Sequence, residues 1–174
     1  MRIKVEKAIA DHKVAAHGGI FSDGLEHNLS LLDFSSNVNP LGFPTKVRDV
    51  FKNLSQVSVY PDPNSNKLRI HLQKYTGIPK NQIVVGNGAT EIIYNYCNAF
   101  LRKQKVLIPI PTFGEYESAA KLNGATLYFF KTMDLNKNLS EFQDMISKKN
   151  CIILCNPNNP TGVLIKKKNM LKIL

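Results

Sequence analysis

The sequence has no tryptophan, and none of its apolar runs approaches the roughly 20 residues that a membrane-spanning helix needs. Its opening segment, MRIKVEKAIADHK, carries charges where a secretory signal peptide has an apolar stretch. With 43% hydrophobic and 21% charged residues, the chain is neither disordered nor fibrous in composition. We therefore expect a folded, cytoplasmic protein that has no membrane partner.

Cysteine is scarce and odd in number, and each of Cys97, Cys151 and Cys155 lies in an apolar segment. On one strand, Cys151 and Cys155 would be about 13 Å apart, which is too far for a disulfide or a shared metal. No histidine stands at a spacing typical of a zinc site. The sequence therefore predicts three core thiols and no metal site.

Basic residues outnumber acidic residues by 23 to 13, but they are dispersed along the chain. The basic run Lys166–Lys168 is short, and no recognised nucleic-acid-binding motif accompanies it. We expect this run to be a solvated surface, and we expect no nucleic-acid partner. A basic nucleic-acid-binding protein remains one of three functional hypotheses.

Alternating strands and amphipathic helices follow an irregular start. A helix is predicted from Thr45, as its cap, to Leu54, and a second one around Leu68–Tyr75, ended by Gly77. The later segments are predicted as strands at residues 82–85, 106–110, 126–130 and 151–155, with helices at residues 89–101 and 113–122 and a third that starts with a capping box of Ser140 and Gln143.

Strands separated by helices imply crossover connections, and hence a mainly parallel sheet with helices on both faces. We therefore predict a three-layer α/β fold whose sheet has four strands and an incomplete edge. In such sheets, ligands bind beyond the carboxyl ends of the strands. Functional residues are accordingly expected in the turns that follow the strands.

The first of these turns, Gly86–Glu91, stands directly between a predicted strand and a predicted helix. Glycines let the backbone approach a phosphate, and the free N–H groups and dipole of the helix start at Ala89 and Thr90 favour negative charge. The turn thus predicts an anion site centred on Gly88. A plain glycine turn is an equally good interpretation of these residues alone.

The second turn carries Phe113 at its mouth, where an aromatic ring can stack on a planar ligand. Tyr116 extends an apolar stripe from Phe113, so a core role for Phe113 stays open. The third turn, Asn156–Gly162, has two prolines and a glycine that fix its shape and present its asparagine amides in a defined direction. This third turn is the most specific functional signal in the chain.

Together, these segments resemble fold-type I pyridoxal-phosphate enzymes of the class I/II aminotransferase family over nearly the whole chain. The order and approximate spacing of the glycine turn, Phe113 and the Asn-Pro-Thr-Gly loop are similar to those of that family. The resemblance implies the N-terminal part of a cofactor-binding large domain, truncated, at residues 45–174. It also implies an N-terminal arm and small-domain segment at residues 1–44.

Within the family, the chain most resembles threonine-phosphate decarboxylases of cobalamin biosynthesis, with histidinol-phosphate aminotransferases of histidine biosynthesis as the alternative. The segments that carry this similarity are His17–Gly19, Asp33–Gly42, Tyr60–Asp62 and Phe113–Glu117.

By position, the resemblance implies roles toward the cofactor pyridoxal 5′-phosphate. Its phosphate is held by Gly88, Ala89 and Thr90, its ring is stacked on Phe113, and its 3-oxygen accepts a hydrogen bond from Asn159. An amide donor at that oxygen tunes the electron sink that the cofactor provides. The resemblance also implies that Tyr60 reaches the cofactor phosphate of the neighbouring subunit in a homodimer.

Substrate binding is implied for His17, Gly18 and Asn37, which match N-terminal segments that contact the phosphate or carboxylate of the substrate. From the residues alone, Asn37 is equally compatible with a turn and His17 with a loop.

The family's Schiff-base lysine stands well downstream of the Asn-Pro-Thr-Gly loop and is not among these 174 residues. We therefore assign no catalytic residue and expect this chain alone to be inactive. The preferred hypothesis is the N-terminal part of a pyridoxal-phosphate enzyme acting on a phosphorylated amino acid or amine. A non-catalytic phosphate-binding or interaction module is the second hypothesis.

Overall fold

The computed structural model describes residues 6–15, 17–19, 32–52, 58–146 and 151–174. Its helices are α1 (Lys7–Ala10), α2 (Thr45–Val50), α3 (Asn66–Thr76), α4 (Ala89–Phe100), α5 (Gly114–Leu122), α6 (Leu139–Ile146) and α7 (Lys167–Ile173). Its strands are β1 (Lys105–Ile110), β2 (Thr126–Lys131) and β3 (Cys151–Ile152), and a short 3-10 turn covers Lys80–Gln82.

The chain forms two compact units. One comprises His17–Gly86, and the other comprises Met1–Ala16 together with Asn87–Leu174. The division into an arm at residues 1–44 and a large domain at residues 45–174 stays a prediction.

β1 is the central strand of the sheet that the described residues form, in the order β2-β1-β3. It pairs in parallel with β2 along its whole length, from Lys105 opposite Thr126 to Ile110 opposite Lys131. It also pairs in parallel with β3, at Val106 and Leu107. The predicted α/β class with a parallel sheet is therefore confirmed.

Two hydrophobic clusters cover the two faces of β1, because successive side chains of a strand point to opposite faces. Val106 and Ile108 are wholly buried on one face, with Cys97, Leu101, Ala119 and Ala120 from α4, its C-terminal end and α5. Leu107 is wholly buried on the other face, with Leu135, Phe142 and Ile165. Burial on both faces explains why β1 is a nearly continuous apolar run.

The prediction of a strand at residues 82–85 is wrong. The 3-10 turn ends at Gln82, and in the described part of the chain the extended residues from Ile83 onward pair with no strand. Val84 is 72% exposed, and Ile83 and Val85 on the opposite face are only partly buried. The described sheet consequently has three strands and not four.

β3 is shorter than the predicted strand at residues 151–155, and Pro109 explains why. The ladder continues beyond β3 by one bond, from the Ile153 N–H to the Leu107 carbonyl at 3.0 Å. Alternate residues of a strand direct their backbone groups to the same neighbour, so the next donor of β1 that faces this segment would be Pro109, which has no N–H. Backbone pairing therefore stops before the third turn.

Two helix starts differ from the sequence prediction. Thr45 is the first residue of α2 and not its cap, and it makes no capping bond. α6 already includes Ser140, so the predicted capping box of Ser140 and Gln143 is wrong. The predicted end of α3 at Gly77 is confirmed, because this residue has a positive φ of 76°. Leu54, predicted for α2, lies outside the described residues.

The apolar side chains of α4 are only partly covered. Cys97 is buried as predicted, but Tyr96 and Phe100 of the same helix are 55% and 63% exposed. Their rings pack on each other with centroids 4.8 Å apart. Among the helices in the described ranges, none is long and apolar enough to cross a membrane.

Candidate functional site

The turns that follow β1 and β3 are joined at the carboxyl edge of the sheet by Asn158. The Thr112 hydroxyl donates to the Asn158 side-chain oxygen at 2.8 Å. The Asn158 side-chain nitrogen donates to the Pro111 carbonyl at 3.0 Å and to the Thr161 hydroxyl at 2.9 Å. The structure thus brings the turn that precedes Phe113 together with the Asn-Pro-Thr-Gly loop.

The three asparagines of this loop differ in how their amides are used. The Asn156 side-chain oxygen accepts the Ile165 N–H at 2.8 Å, and the Asn158 amide is bonded through both its oxygen and its nitrogen. Asn159 is half-buried, and no hydrogen bond from its amide to another described residue is present. Of the three asparagines, Asn159 is therefore the one whose side-chain amide is available to bind a ligand.

The glycine turn before α4 has the geometry of an anion site. Gly88 has φ 88° and ψ 172°, a conformation that essentially only glycine adopts. A Cβ at this position would meet no described atom within 4 Å, so the space in front of the turn is open. The Glu91 carboxylate accepts the Asn87 N–H, while Ala89 and Thr90 are exposed at the helix start. This arrangement fits an anion at the positive end of α4.

The Phe113 ring is half-buried immediately before α5. It meets Tyr116 edge-on, with ring centroids 5.8 Å apart and planes at 87°. Burial raises the pKa of Tyr116 to about 12, and a hydrogen bond with the Cys155 thiol acts in the same direction. Tyr116 is thus a neutral phenol at physiological pH, and it fixes the Phe113 ring while leaving that ring partly exposed.

The two helices that start at these turns lie side by side. The Tyr94 hydroxyl of α4 donates to the Ser118 hydroxyl of α5 at 3.1 Å. Burial raises the pKa of Tyr94, and the neighbouring Glu115 carboxylate also raises it. The glycine turn and the Phe113 turn therefore lead into one packed pair of helices.

A small cavity lies among the joined turns. Its volume is about 30 Å³, and its lining includes Pro111, Thr112, Cys155, Asn158 and Thr161. A cavity of this volume holds roughly one water molecule, so it is a packing gap and not the space for a cofactor. Among the described residues, no group of three or more histidine, cysteine, aspartate or glutamate side chains is placed to hold a metal ion.

Two of the N-terminal segments that we predict to bind substrate contact each other within the unit of residues 17–86. The Gly19 N–H donates to the Ser35 hydroxyl at 2.7 Å. A Cβ on Gly18 would collide with the Ser35 backbone, so the close approach of the two segments requires glycine there. His17 and Asn37 are exposed on these segments, and their substrate role stays a prediction.

Tyr60 lies in the same unit and is 98% exposed. Two residues later, the Asp62 carboxylate accepts the N–H groups of Asn64 at 2.9 Å and Asn66 at 2.7 Å, which caps α3. These backbone bonds lower the pKa of Asp62. Tyr60 therefore precedes a capped helix, and its side chain stands outside the packed part of the unit.

Asp33 organises the segment that Gly18 and Gly19 contact. Its carboxylate accepts the Ser35 hydroxyl at 2.6 Å, the Ser35 N–H at 2.7 Å and the Ser36 hydroxyl. The hydrogen bonds from Ser35, followed by those from Ser36, lower the pKa of Asp33 from its ordinary value of 3.8 to about 2.

We expect this segment to loosen in acid. Since the folded pKa of Asp33 is depressed, the order that its carboxylate provides is complete above pH 3.8 and is lost as the pH falls through about 2. In Ser35→Ala, the pKa of Asp33 should rise toward its ordinary value, whereas the pKa of Asp62 should not move. NMR titration of the side-chain carboxyl carbons measures both. An Asp33 midpoint that Ser35→Ala leaves unchanged would contradict this assignment.

Comparison with known proteins adds independent findings. The family model described as Aminotransferase class I and II matches residues 30–174. A histidinol-phosphate aminotransferase from Methanococcus aeolicus is 39% identical over 152 residues, covering 83% of this chain and 41% of that protein.

Two solved structures are similar as well. The histidinol-phosphate aminotransferase from Clostridium acetobutylicum has a TM-score of 0.71 at 36% identity, covering 82% of this chain and 42% of that one. The L-threonine-O-3-phosphate decarboxylase from Porphyromonas gingivalis has a TM-score of 0.64 at 33% identity, covering 74% of this chain and 38% of that one. The chain thus spans about two fifths of the length of these relatives.

Proposed function

Because the chain belongs to the aminotransferase class I and II family, we propose that it carries the pyridoxal 5′-phosphate cradle of an enzyme acting on a phosphorylated amino acid or amine. One observation supports this proposal most strongly. Asn158 ties the turn before Phe113 to the loop of Asn159, while the Asn159 amide remains for a ligand. The open glycine turn at Gly88 is the second support.

Each described element has a role that suits its geometry. The N–H groups of Ala89 and Thr90, with the dipole of α4, hold the cofactor phosphate, and Gly88 leaves room for it. Phe113 stacks on the ring, and Asn159 donates to the 3-oxygen. When bound, the cofactor supplies an electron sink for the carbon that carries the substrate amine.

These residues bind and orient, and none of them is assigned a proton transfer. No residue is proposed for the lysine amine that the family uses to transfer protons.

For the substrate, we propose threonine phosphate and a decarboxylation in cobalamin biosynthesis. The support is the similarity of segments His17–Gly19 and Asp33–Gly42 to threonine-phosphate decarboxylases, together with the decarboxylase structure at 33% identity. His17, Gly18 and Asn37 are assigned to the phosphate or carboxylate of that substrate. Histidinol-phosphate aminotransferase is the second candidate, because the relatives from M. aeolicus and C. acetobutylicum bear that name. Both reactions use a phosphorylated substrate.

We propose that the complete site forms in a homodimer in the cytoplasm. Tyr60 is assigned to the cofactor phosphate of the neighbouring subunit, and its nearly complete exposure is compatible with a contact outside its own chain.

Binding of pyridoxamine 5′-phosphate tests the proposed function. This probe carries the phosphate, the ring and the 3-oxygen of the cofactor but no aldehyde, so it does not attach to surface lysines. We expect the chain to bind it and Asn159→Ala to bind it about tenfold more weakly, since a hydrogen bond to a charged oxygen is lost. Quenching of the probe's fluorescence measures both affinities.

Asn123→Ala is the matched control. Asn123 follows the C-terminal end of α5, at the opposite end of this helix from Phe113, and its side chain donates to the Ala119 carbonyl at 2.9 Å. This variant should bind the probe as the parent does. A parent chain without measurable binding, or equal affinities for the parent and Asn159→Ala, would refute the assignment.

A further inference from the structure

Asn158 differs from its neighbour Asn159 in that all its polar groups are engaged within the chain. Its side-chain oxygen accepts from Thr112, and the two hydrogens of its side-chain nitrogen match two acceptors, the Pro111 carbonyl and the Thr161 hydroxyl. Its backbone N–H donates to the Val163 carbonyl at 2.9 Å, and its carbonyl accepts the Gly162 N–H at 2.6 Å. Asn158 therefore has no donor left for a ligand.

These bonds stand where backbone pairing between the two chain segments has ended. The ladder stops after the bond from Ile153 to Leu107, because Pro109 has no N–H to offer. After Leu107, the next carbonyl on the β3 side of this segment that accepts a hydrogen bond is that of Pro111. Its donor is the Asn158 side-chain nitrogen, at 3.0 Å. A side-chain amide thus joins the two segments beyond the end of the backbone ladder.

The side-chain hydrogen bonds of Asn158 lie directly beside two residues of the proposed cofactor site. Thr112 immediately precedes Phe113, and Asn158 immediately precedes Asn159. A bond between Thr112 and Asn158 therefore links the backbone that carries the ring to the backbone that carries the free amide, across 46 residues of sequence. A bond to Thr161 holds the loop on the other side of Asn159.

We propose that Asn158 is a positioning residue, which fixes the Asn159 amide relative to the Phe113 ring and thereby sets the hydrogen bond to the cofactor's 3-oxygen. The proposal rests on the proposed function for its ligand. Asn158 itself does not touch the cofactor, and it acts through the backbone of its two neighbours.

Three variants remove increasing numbers of the hydrogen bonds that the Asn158 side chain makes. Thr112→Val removes one of the three side-chain bonds. Asn158→Asp keeps an acceptor for Thr112 but loses both N–H donors, to Pro111 and to Thr161. Asn158→Ala removes all three bonds. The exchange rate of the loop amides and the loss of affinity for pyridoxamine 5′-phosphate should increase in that order. Leu164→Ala is the matched control, because this nearby side chain is 60% exposed.

Hydrogen exchange of the free chain is the first readout, because it requires no cofactor. In Asn158→Ala, the amides of residue 158 and Gly162 should exchange about tenfold faster, since the loop opens more easily. The buried amides of Val106–Ile108 should keep their parent rates, because the core is intact. Unchanged loop exchange would overturn the proposal whether or not the proposed function is correct.

Ligand binding is the second readout, with three probes. In Asn158→Ala, pyridoxamine 5′-phosphate should bind about tenfold more weakly, as expected for a lost or misplaced hydrogen bond. The 3-deoxy analogue of this probe lacks the oxygen that Asn159 bonds, so its affinity should be unchanged. Inorganic phosphate, which requires only the turn at Gly88–Thr90, should also bind as before.

The pattern over the probes separates the possible failures. Equal weakening of all three probes, with faster exchange in β1, means that Asn158 is merely structural, and the positioning role is then refuted. A parent chain that binds no probe refutes the proposed function, and the positioning role with it. A parent that binds the probes while Asn158→Ala binds them equally well refutes the positioning role alone.

Discussion

A chain with Gly88→Ala should bind pyridoxamine 5′-phosphate on the order of tenfold to hundredfold more weakly than the parent. The φ of 88° and ψ of 172° at Gly88 belong to a region that is nearly closed to other residues, and occupying it costs about 1–3 kcal/mol. The added Cβ meets no described protein atom within 4 Å, and in the proposed site it competes with the phosphate for the open space in front of the turn. The backbone cost also lowers the stability of the free chain, whereas the competition with the phosphate acts on the bound state, and a fluorescence titration measures the resulting loss of affinity.

Gly124→Ala is a suitable control for backbone strain. Gly124 has φ 70°, also with no described atom within 4 Å of an added Cβ, but it lies in the turn between α5 and β2. Alanine there should lower the stability of the chain and leave the affinity for the probe unchanged. If both glycine variants lose binding equally, general destabilisation explains the loss and the phosphate assignment to Gly88 fails.

The second large effect is expected on stability, for Phe142→Ala. Phe142 is wholly buried and meets the Phe130 ring with centroids 5.3 Å apart. Its cluster also contains Leu107 of β1, the strand that leads to Phe113. Truncating a buried phenylalanine leaves a cavity and typically lowers the free energy of unfolding by about 3–5 kcal/mol. That is a large part of the roughly 5–15 kcal/mol that stabilises an ordinary domain.

Phe100→Ala removes the same atoms from an exposed position. Phe100 is 63% exposed at the end of α4, so its loss should change the free energy of unfolding by less than about 1 kcal/mol. Urea denaturation followed by circular dichroism compares the two variants with the parent. Similar midpoints for Phe142→Ala and the parent would show that this face of the sheet is not packed as described.

Sequence patterns predicted the parts of the fold whose residues are buried on both sides. The strands at residues 106–110 and 126–130 and the helix at residues 113–122 were predicted to within one residue, because β1 lies between two apolar clusters. The predicted strand at residues 82–85 has a similar composition, but Val84 is exposed and the segment pairs with no strand among the described residues. Composition alone does not reveal whether a second strand is available to pair.

Pairing also decided the length of β3. The run Cys151–Cys155 is apolar throughout, and a sequence pattern therefore predicts a strand over all of it. The strand is interrupted by a proline in its neighbour, at Pro109, which is more than 40 residues away in sequence. Such an effect depends on register, and register follows from the folded sheet and not from either segment alone.

The candidate site was predictable in its turns and not in its internal bonds. The glycine turn, Phe113 and the asparagine loop stand out because each follows a strand and has a special composition. The side-chain hydrogen bonds of Asn158 have no local sequence signature, since their partners Pro111 and Thr112 lie on a different turn. The difference between Asn158 and Asn159, adjacent and chemically identical, is visible only in the folded chain.

A crystal structure of this chain with pyridoxamine 5′-phosphate tests the central claim most directly. The account predicts that the phosphate oxygens lie about 3 Å from the N–H groups of Ala89 and Thr90, with the ring on Phe113 and the 3-oxygen at hydrogen-bond distance from the Asn159 amide. Density for the probe at any other place, with the turn at Gly88–Thr90 and the Asn159 amide both free of it, would contradict the account.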